Sequence, residues 1–331
     1  MQYLMYVWIA LSTYSFIRMI DSFTSTSLSY LQYDYFVVDQ WGVLHNGKKP
    51  YSEVLSALNH IKASGRLLIL LSNSSKRKAA SFAGLSKVGI DPTLFLDIVT
   101  SGEVGHRLLS GPDSVVGRRL FVIGNGDDDR EYVQSAGCDV SDLEHATGVL
   151  ARGTFSIWDN PDSPTRYQKA SELIDQIDPW LERFLERKLP ILVTNPDHLR
   201  PGTGDPMPGI IGDRYQAMGG VVHFIGKPFT EVYDECINII TQHAHTINTN
   251  PSSNLKKRIC CVGDSLDHDI LGAQKYGLDS AWTVNGVHCL EMQVDPATYE
   301  GSIVMPDKSK VDKLLTEYNA IPTHILPCFV W

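Results

Sequence analysis

Tyr35-Phe36-Val37-Val38-Asp39-Gln40-Trp41-Gly42-Val43-Leu44-His45 is a four-residue apolar run that stops on a carboxylate and turns through a glycine. A short continuous apolar run bounded by turn residues reads as a fully buried strand of a parallel sheet. Three further runs have the same form. Leu67 to Leu71 ends at Ser72, Val221 to Ile225 passes through Gly226 to Lys227, and Arg258 to Val262 passes through Gly263 to Asp264. Open α/β sheets bind ligands at the carboxyl ends of their strands. The four runs therefore predict one crevice in which a nucleophilic carboxylate, a hydroxyl, an ammonium and further carboxylates converge.

Between the runs the pattern is helical. Ser52 to Ser64 carries Leu55, Leu58 and Ile61 at helical spacing and stops at Gly65, a suitable C-terminal glycine. A second helix is predicted from Arg77 to Val88 with Ala80, Phe82 and Leu85, a third near Glu103 to Leu109, and a fourth from Phe229 to His243. Alternating strands and helices predict an α/β fold with a doubly wound parallel core. From about residue 117 the texture changes: strands at Arg119 to Ile123 and Ile191 to Thr194, an acidic loop at Asp127-Asp128-Asp129, and one polar helix from Thr165 to Arg187. The strand at Val221 reads as the return to the core sheet. The expected organisation is an apolar N-terminal extension over 1–29, a core over 30–116 and 220–331, and an inserted α/β cap domain over 117–219.

A chain of 331 residues exceeds one small core, and 43% hydrophobic with 20% charged residues is ordinary for a globular protein. The net charge of −9 excludes a large nucleic-acid footprint, which needs clustered cations. The basic triplet Lys76-Arg77-Lys78 reads as a helix start. Six scattered cysteines have neither metal-ligand spacing nor a disulfide framework, which favours a reducing, cytoplasmic location, and Cys260 and Cys261 read as small core residues. Met1 to Ile17 is apolar without a basic start; it is short for a membrane span and reads as a packed extension, with targeting or anchoring as the alternative. A membrane partner is not expected.

The ordered motifs Asp39-Gln40-Trp41-Gly42-Val43-Leu44-His45, Leu71-Ser72-Asn73-Ser74, Gly226-Lys227-Pro228 and Gly263-Asp264-Ser265-Leu266-Asp267-His268-Asp269-Ile270 resemble the haloacid dehalogenase superfamily. The resemblance covers residues 30 to 290. The insertion between the second and third motifs is similar to the cap of subclass IIA, which contains p-nitrophenyl-, nucleotide- and pyridoxal-phosphate phosphatases. It implies a magnesium-dependent phosphatase acting on a small phosphorylated metabolite. Asp39 is then the nucleophile that forms an aspartyl-phosphate. Ser72, Asn73 and Lys227 hold the phosphate. Asp39, Asp264, Asp269 and the Trp41 carbonyl hold Mg²⁺, and Asn195 and Asp197, within Thr194-Asn195-Pro196-Asp197, face the substrate from the cap. Asp267 reads as a helix N-cap instead. Cap surfaces in such proteins also suggest a homodimer.

One position departs from the family pattern. Two residues after the nucleophile, Trp41 replaces the carboxylate that protonates the leaving oxygen and then activates water, a contribution of roughly 10²–10⁴ in rate. Candidate substitutes are His45, Asp267, His268 and Asp197. The alternative function is a catalytically weak protein that keeps the metal and phosphate pocket for binding or partner recognition. Chemistry at carbon or phosphonate is a third reading, and a receiver domain is disfavoured because such domains are shorter and place their acidic pair before the acceptor.

Overall fold

The computed structural model describes residues 27–112, 114–247, 254–292 and 306–331. The apolar segment 1–17 and most of the Ser/Asn-rich stretch near 250 lie outside the described residues. The described residues divide between two compact units, one within Met1–Leu68 and Pro251–Trp331, the other within Ile69–Asn250.

The strands in chain order are β1 (Tyr35–Val38), β2 (Leu67–Ser72), β3 (Asp97–Thr100), β4 (Arg119–Gly124), β5 (Asp139–Val140), β6 (Gly148–Ala151) and β7 (Ser156–Ile157). They continue with β8 (Thr165–Arg166), β9 (Ile191–Val193), β10 (Val222–Phe224), β11 (Ile259–Gly263), β12 (Asp279–Thr283) and β13 (His324–Leu326).

In the first unit β13, β12, β11 and β1 lie side by side, each pair parallel. β2 opens next to this row, with the Leu67 N–H donating to the Asp34 carbonyl at 2.9 Å. Every residue of β1 and β11 is buried, as their unbroken apolar sequence requires for strands covered on both faces. Trp282, Leu266, Ile270, Val311 and Leu314 form a core beside this sheet. Helix Val54–Ala63 buries Val54, Ala57, Leu58 and Ile61, so Leu58 and Ile61 face inward as expected while Leu55 is exposed.

In the second unit β2 continues and pairs in parallel with β3. Helix Lys78–Lys87 follows β2 and buries Ser81 and Leu85; Ala80 is exposed. Helix Ser101–Ser110 follows β3 directly, capped by the Thr100 hydroxyl on the Glu103 N–H. A second sheet of seven strands runs β10-β9-β6-β4-β7-β8, with β5 also on β4. Phe121, Ile123, Val149, Ile191, Phe184 and Tyr215 belong to its core.

Two sequence expectations are corrected here. The strand before Lys227 does not rejoin the first sheet: β10 pairs with β9 at the edge of the second, where its three residues are only half-buried. An edge strand needs apolar cover on one side only, and three residues with β-branched or aromatic character cannot report which sheet they join. The predicted polar helix over Thr165 to Arg187 is instead β8 followed by helices Ala170–Ile174 and Asp178–Glu186. Glu172 accepts from the Gln168 and Lys169 N–H groups and starts the first helix afresh, and Pro179 sits in the opening turn of the second, where its missing N–H costs nothing. The second sheet thus spans 119–224, against an expected insertion of 117–219. Among the described residues no helix is long and apolar enough to cross a membrane. All six cysteines are unbridged, and five are buried, Cys260 and Cys261 among them.

Candidate active site

Asp39 follows β1, and its N–H continues the ladder to the Val262 carbonyl at 2.9 Å. That bond sets the end of β1 level with the end of β11, from which Asp264 and Asp269 depart. Ligand oxygens of Asp39, Asp264 and Asp269 all lie within 4.8 Å of one another. Asp264 and Asp269 are buried, with 2% and 5% of their surface exposed, while Asp39 is half-buried.

Close packing of backbone holds these carboxylates. A Cβ on Gly42 would stand 2.0 Å from Asp264 Oδ2, and one on Gly286 would stand 2.1 Å from the same atom. Gly42 also has φ +85°, a left-handed conformation that side chains resist. The Val287 N–H donates to Asp264 Oδ2 at 2.8 Å, and the Trp282 indole N–H to the Asp264 carbonyl at 2.9 Å. Asp269 lies against Gly263 and accepts from the Ser265 N–H at 3.1 Å. Gly42 lay inside a motif already singled out, but Gly286, Val287 and Trp282 had no signal beyond an Asn-Gly turn after an apolar strand.

The donor set suits a hard divalent cation. Mg²⁺ takes oxygens at about 2.1 Å in an octahedron, so opposed ligands stand about 4.2 Å apart. The three carboxylates, with ligand oxygens within 4.8 Å of one another, stand close to that spacing. Such a cluster held dry and without a cation would carry mutual repulsion.

The Trp41 loop is tightly folded. The Gly42 N–H donates to the His45 carbonyl, the Leu44 N–H to the Gln40 carbonyl, and the Lys48 and Lys49 N–H groups to the Asn46 side chain. The Trp41 indole nitrogen lies against Gly47, where an added Cβ would be 3.1 Å away. His45 is buried at the centre of this loop. Its Nδ1 accepts from the Gly47 N–H at 2.9 Å, and the Gln40 side-chain amide lies 3.0 Å from its Nε2. Burial pushes its pKa down to about 4, so it is neutral at pH 7 with both nitrogens engaged.

The other expected proton carriers are also engaged. Asp267 accepts from Ser265 Oγ and pairs with His268 at 3.1 Å, which, against the opposing effect of its burial, holds its carboxyl well below the usual range. The expectation that Asp267 caps the helix is corrected: Ser265 is the cap, its hydroxyl accepting from the His268 N–H. The Ser265 hydroxyl is shorter and reaches that amide, whereas Asp267 already lies inside the first turn.

The second unit gathers the remaining expected residues around Asn73. The Asn73 amide oxygen accepts from the Lys227 N–H at 2.6 Å, and its nitrogen donates to the Lys227 carbonyl at 3.0 Å and to Asp197 Oδ1 at 2.7 Å. Asn195 accepts from the Asp197 N–H at 2.9 Å. The Lys227 ammonium is buried and donates to the Leu71 carbonyl at 3.4 Å, and Ser101 reaches both the Ser72 carbonyl and Asn73 at 3.4 Å. Gly226 has φ +136° and packs so closely that a Cβ would meet Pro196, Ser101 and Asn73 within 2.8 Å. Asn73 is thus an organising residue, and Ser72, Asn73, Asn195, Asp197 and Lys227 form one cluster.

Both the sequence and the fold have known counterparts. Residues 36–139 match the family model for haloacid dehalogenase-like hydrolases, and residues 224–309 match a second model described as HAD-hydrolase-like. The chain belongs to the haloacid dehalogenase superfamily. Within it, the similarities point to subclass IIA. Among characterised relatives, chronophin of Bos taurus is 26% identical over 257 residues, covering 76% of this chain and 80% of that protein. The 4-nitrophenylphosphatase of Schizosaccharomyces pombe is 23% identical over 271 residues, covering 76% of this chain and 84% of the relative. Among solved structures, a haloacid dehalogenase-like hydrolase from Brucella suis 1330 superposes with TM-score 0.71 at 24% identity, covering 92% of this chain and all of that one. NagD from E. coli K-12 follows the same fold at TM-score 0.61 and 17% identity, covering 90% of this chain and 97% of NagD. The α/β reading and the superfamily expectation both stand.

Proposed function

We infer that this haloacid dehalogenase-like hydrolase is a phosphoric monoester hydrolase acting on a small phosphorylated metabolite with Mg²⁺ and Asp39 as nucleophile. The observation that carries the reading is the convergence of Asp39, Asp264 and Asp269 at the ends of β1 and β11. The similarity of this chain to the 4-nitrophenylphosphatase of Schizosaccharomyces pombe supports it.

Asp264, Asp269, one oxygen of Asp39 and the Trp41 carbonyl are the proposed holders of the cation. When bound, the cation offsets carboxylate repulsion and neutralises charge on the phosphoryl oxygens. The second oxygen of Asp39 attacks phosphorus; the bond from phosphorus to the ester oxygen breaks, and its electron pair leaves with that oxygen. Water then attacks the aspartyl-phosphate, releasing inorganic phosphate and regenerating Asp39. Ser72, Asn73 and Lys227 are proposed as the phosphate-holding residues, the ammonium contributing positive charge.

The engaged state of His45, Asp267 and His268 bears on the substrate. With indole at position 41 and these groups already paired, the leaving oxygen departs as an anion. Aryl and acyl phosphates, whose leaving groups have low pKa, are therefore the proposed preferred class. The test is phosphate release across aryl phosphates of graded leaving-group pKa and alkyl phosphates, with Mg²⁺, for the natural chain and Asp39→Asn. A steep dependence on leaving-group pKa is expected, and equal rates for both proteins would remove Asp39 from the mechanism.

The second reading, a weak catalyst that retains the pocket for binding, draws on the same Trp41 loop. Trp41→Asp separates the two. A large gain in turnover supports the weak-catalyst reading, whereas a loss assigns the indole to the active chemistry.

A further inference from the structure

We propose that His288 is a positioning residue for the acidic turn Asp264–Asp269, held in its working tautomer by Glu291. The inference rests on the divalent-cation reading of Asp39, Asp264 and Asp269.

The turn begins with backbone N–H groups that no preceding helical residue can accept from. Their partners can be traced. The Ser265 N–H goes to Asp269, and the His268 N–H goes to the Ser265 hydroxyl. The Leu266 N–H donates outside the turn, to His288 Nε2 at 3.0 Å. Leu266 is fully buried, so water does not replace that acceptor.

An imidazole nitrogen accepts only when it is unprotonated, so the proton of neutral His288 sits on Nδ1. Nδ1 meets Glu291 Oε1 at 2.6 Å, and Glu291 Oε2 accepts from the Tyr318 hydroxyl at 3.1 Å. The ring is wedged edge-on between Trp282 and Tyr318, with centroids 6.2 and 4.8 Å away. Trp282 in turn donates to the Asp264 carbonyl, and Val287, the residue before His288, donates to the Asp264 carboxylate. One short segment therefore grips the acidic turn at three points: carboxylate, carbonyl and the amide two residues on. A carboxylate–histidine pair of this kind fixes orientation in metal sites generally, although here it acts on backbone and not on the ion.

The experiment is a calorimetric titration of the full chain with MgCl₂, without substrate, accompanied by kcat and KM for 4-nitrophenyl phosphate and a thermal melt. His288→Phe keeps the ring volume and removes the acceptor; its Mg²⁺ affinity should fall about tenfold or more. His288→Gln restores an acceptor near the Nε2 position and should recover affinity to within about threefold. Glu291→Leu should lose about threefold, and Leu290→Ser, at a 73% exposed position, should match the natural chain. A folded His288→Phe with unchanged Mg²⁺ affinity, whatever its melting temperature, overturns the proposal, as does His288→Gln binding no better than His288→Phe. If His288→Phe does not fold, unchanged affinity in Glu291→Leu overturns it instead. No Mg²⁺ response in the natural chain defeats the cation reading itself, and the proposal with it.

Discussion

Two acidic turns in this molecule look alike in sequence and are solved in opposite ways. Gly263-Asp264 to Asp269 leaves β11, and Gly124-Asn125-Gly126-Asp127-Asp128-Asp129 leaves β4, each from the end of a buried strand. In each, a glycine lets a carboxylate approach so closely that a Cβ would overlap it, Gly263 on Asp269 and Gly124 on Asp129, both at 2.1 Å. The β4 turn carries its countercharge in the chain. Arg152 is fully buried, donates to Asp129 and Asp128, and stacks over Tyr132 at 4.3 Å. The hydrogen bond and charge of Arg152 hold Asp128 below the ordinary carboxylate range. Asp129 also accepts from Ser156, Trp158 and the Asn125 and Gly126 N–H groups. The β11 turn instead faces a third carboxylate, Asp39. A charge satisfied by a fixed side chain is architecture; a charge set gathered around a common point is suited to an exchangeable cation.

The sharpest break between the two is catalytic. Asp39→Asn, which removes the proposed nucleophile, should lower phosphate release by at least about 10³-fold, whereas Asp128→Asn should leave kcat within about twofold; steady-state rates on 4-nitrophenyl phosphate decide it. Stability should divide the turns the other way. Arg152→Met strands buried Asp129 and should cost about 3–5 kcal/mol, read as a shift in the urea midpoint. Mg²⁺ should then act on one turn only: at a hundredfold excess over its dissociation constant it should stabilise the natural chain by about 2.7 kcal/mol. Asp264→Asn should abolish that gain, and Arg152→Met should retain it.

The smallest effect is on pH. The folded-state pKa of His45 lies at about 4, below the ordinary value of 6.5. Between those values the unfolded chain binds the proton and the folded chain does not, so stability is full above pH 6.5 and declines as pH falls toward 4. The loss from this group between pH 7 and pH 5 is about 2 kcal/mol, and His45→Gln should flatten that slope in denaturant melts. An unchanged slope would show that His45 titrates freely and could carry a proton after all.

How much of this was legible beforehand follows from how each feature is encoded. Asp39, Ser72, Asp264 and Asp269 each stand at the end of, or on a short turn after, an apolar run long enough to be read as a buried strand. Local chemistry and local pattern coincide at those positions, so the superfamily, the α/β class and the acidic centre could be read directly. Lys227 was found by its motif, but the sheet of its preceding strand was misassigned, because strand pairing is set by partners far along the chain. Arg152 had no local signal. It follows an apolar strand, as a surface arginine would, and only the folded chain brings Asp128, Asp129 and Ser75 to its guanidinium.

By itself the sequence determined the order of motifs, the indole of Trp41 two residues after Asp39 and the identity of the three acidic residues. Tertiary structure decided which groups remain available to them: it buried His45 between Gly47 and Gln40, engaged Asp267 with His268, and brought Gly286, Val287 and His288 to the acidic turn. The physical reason is that residue type sets what a side chain can do, whereas burial and hydrogen-bond partners, fixed by contacts distant in sequence, set whether it is free to do it.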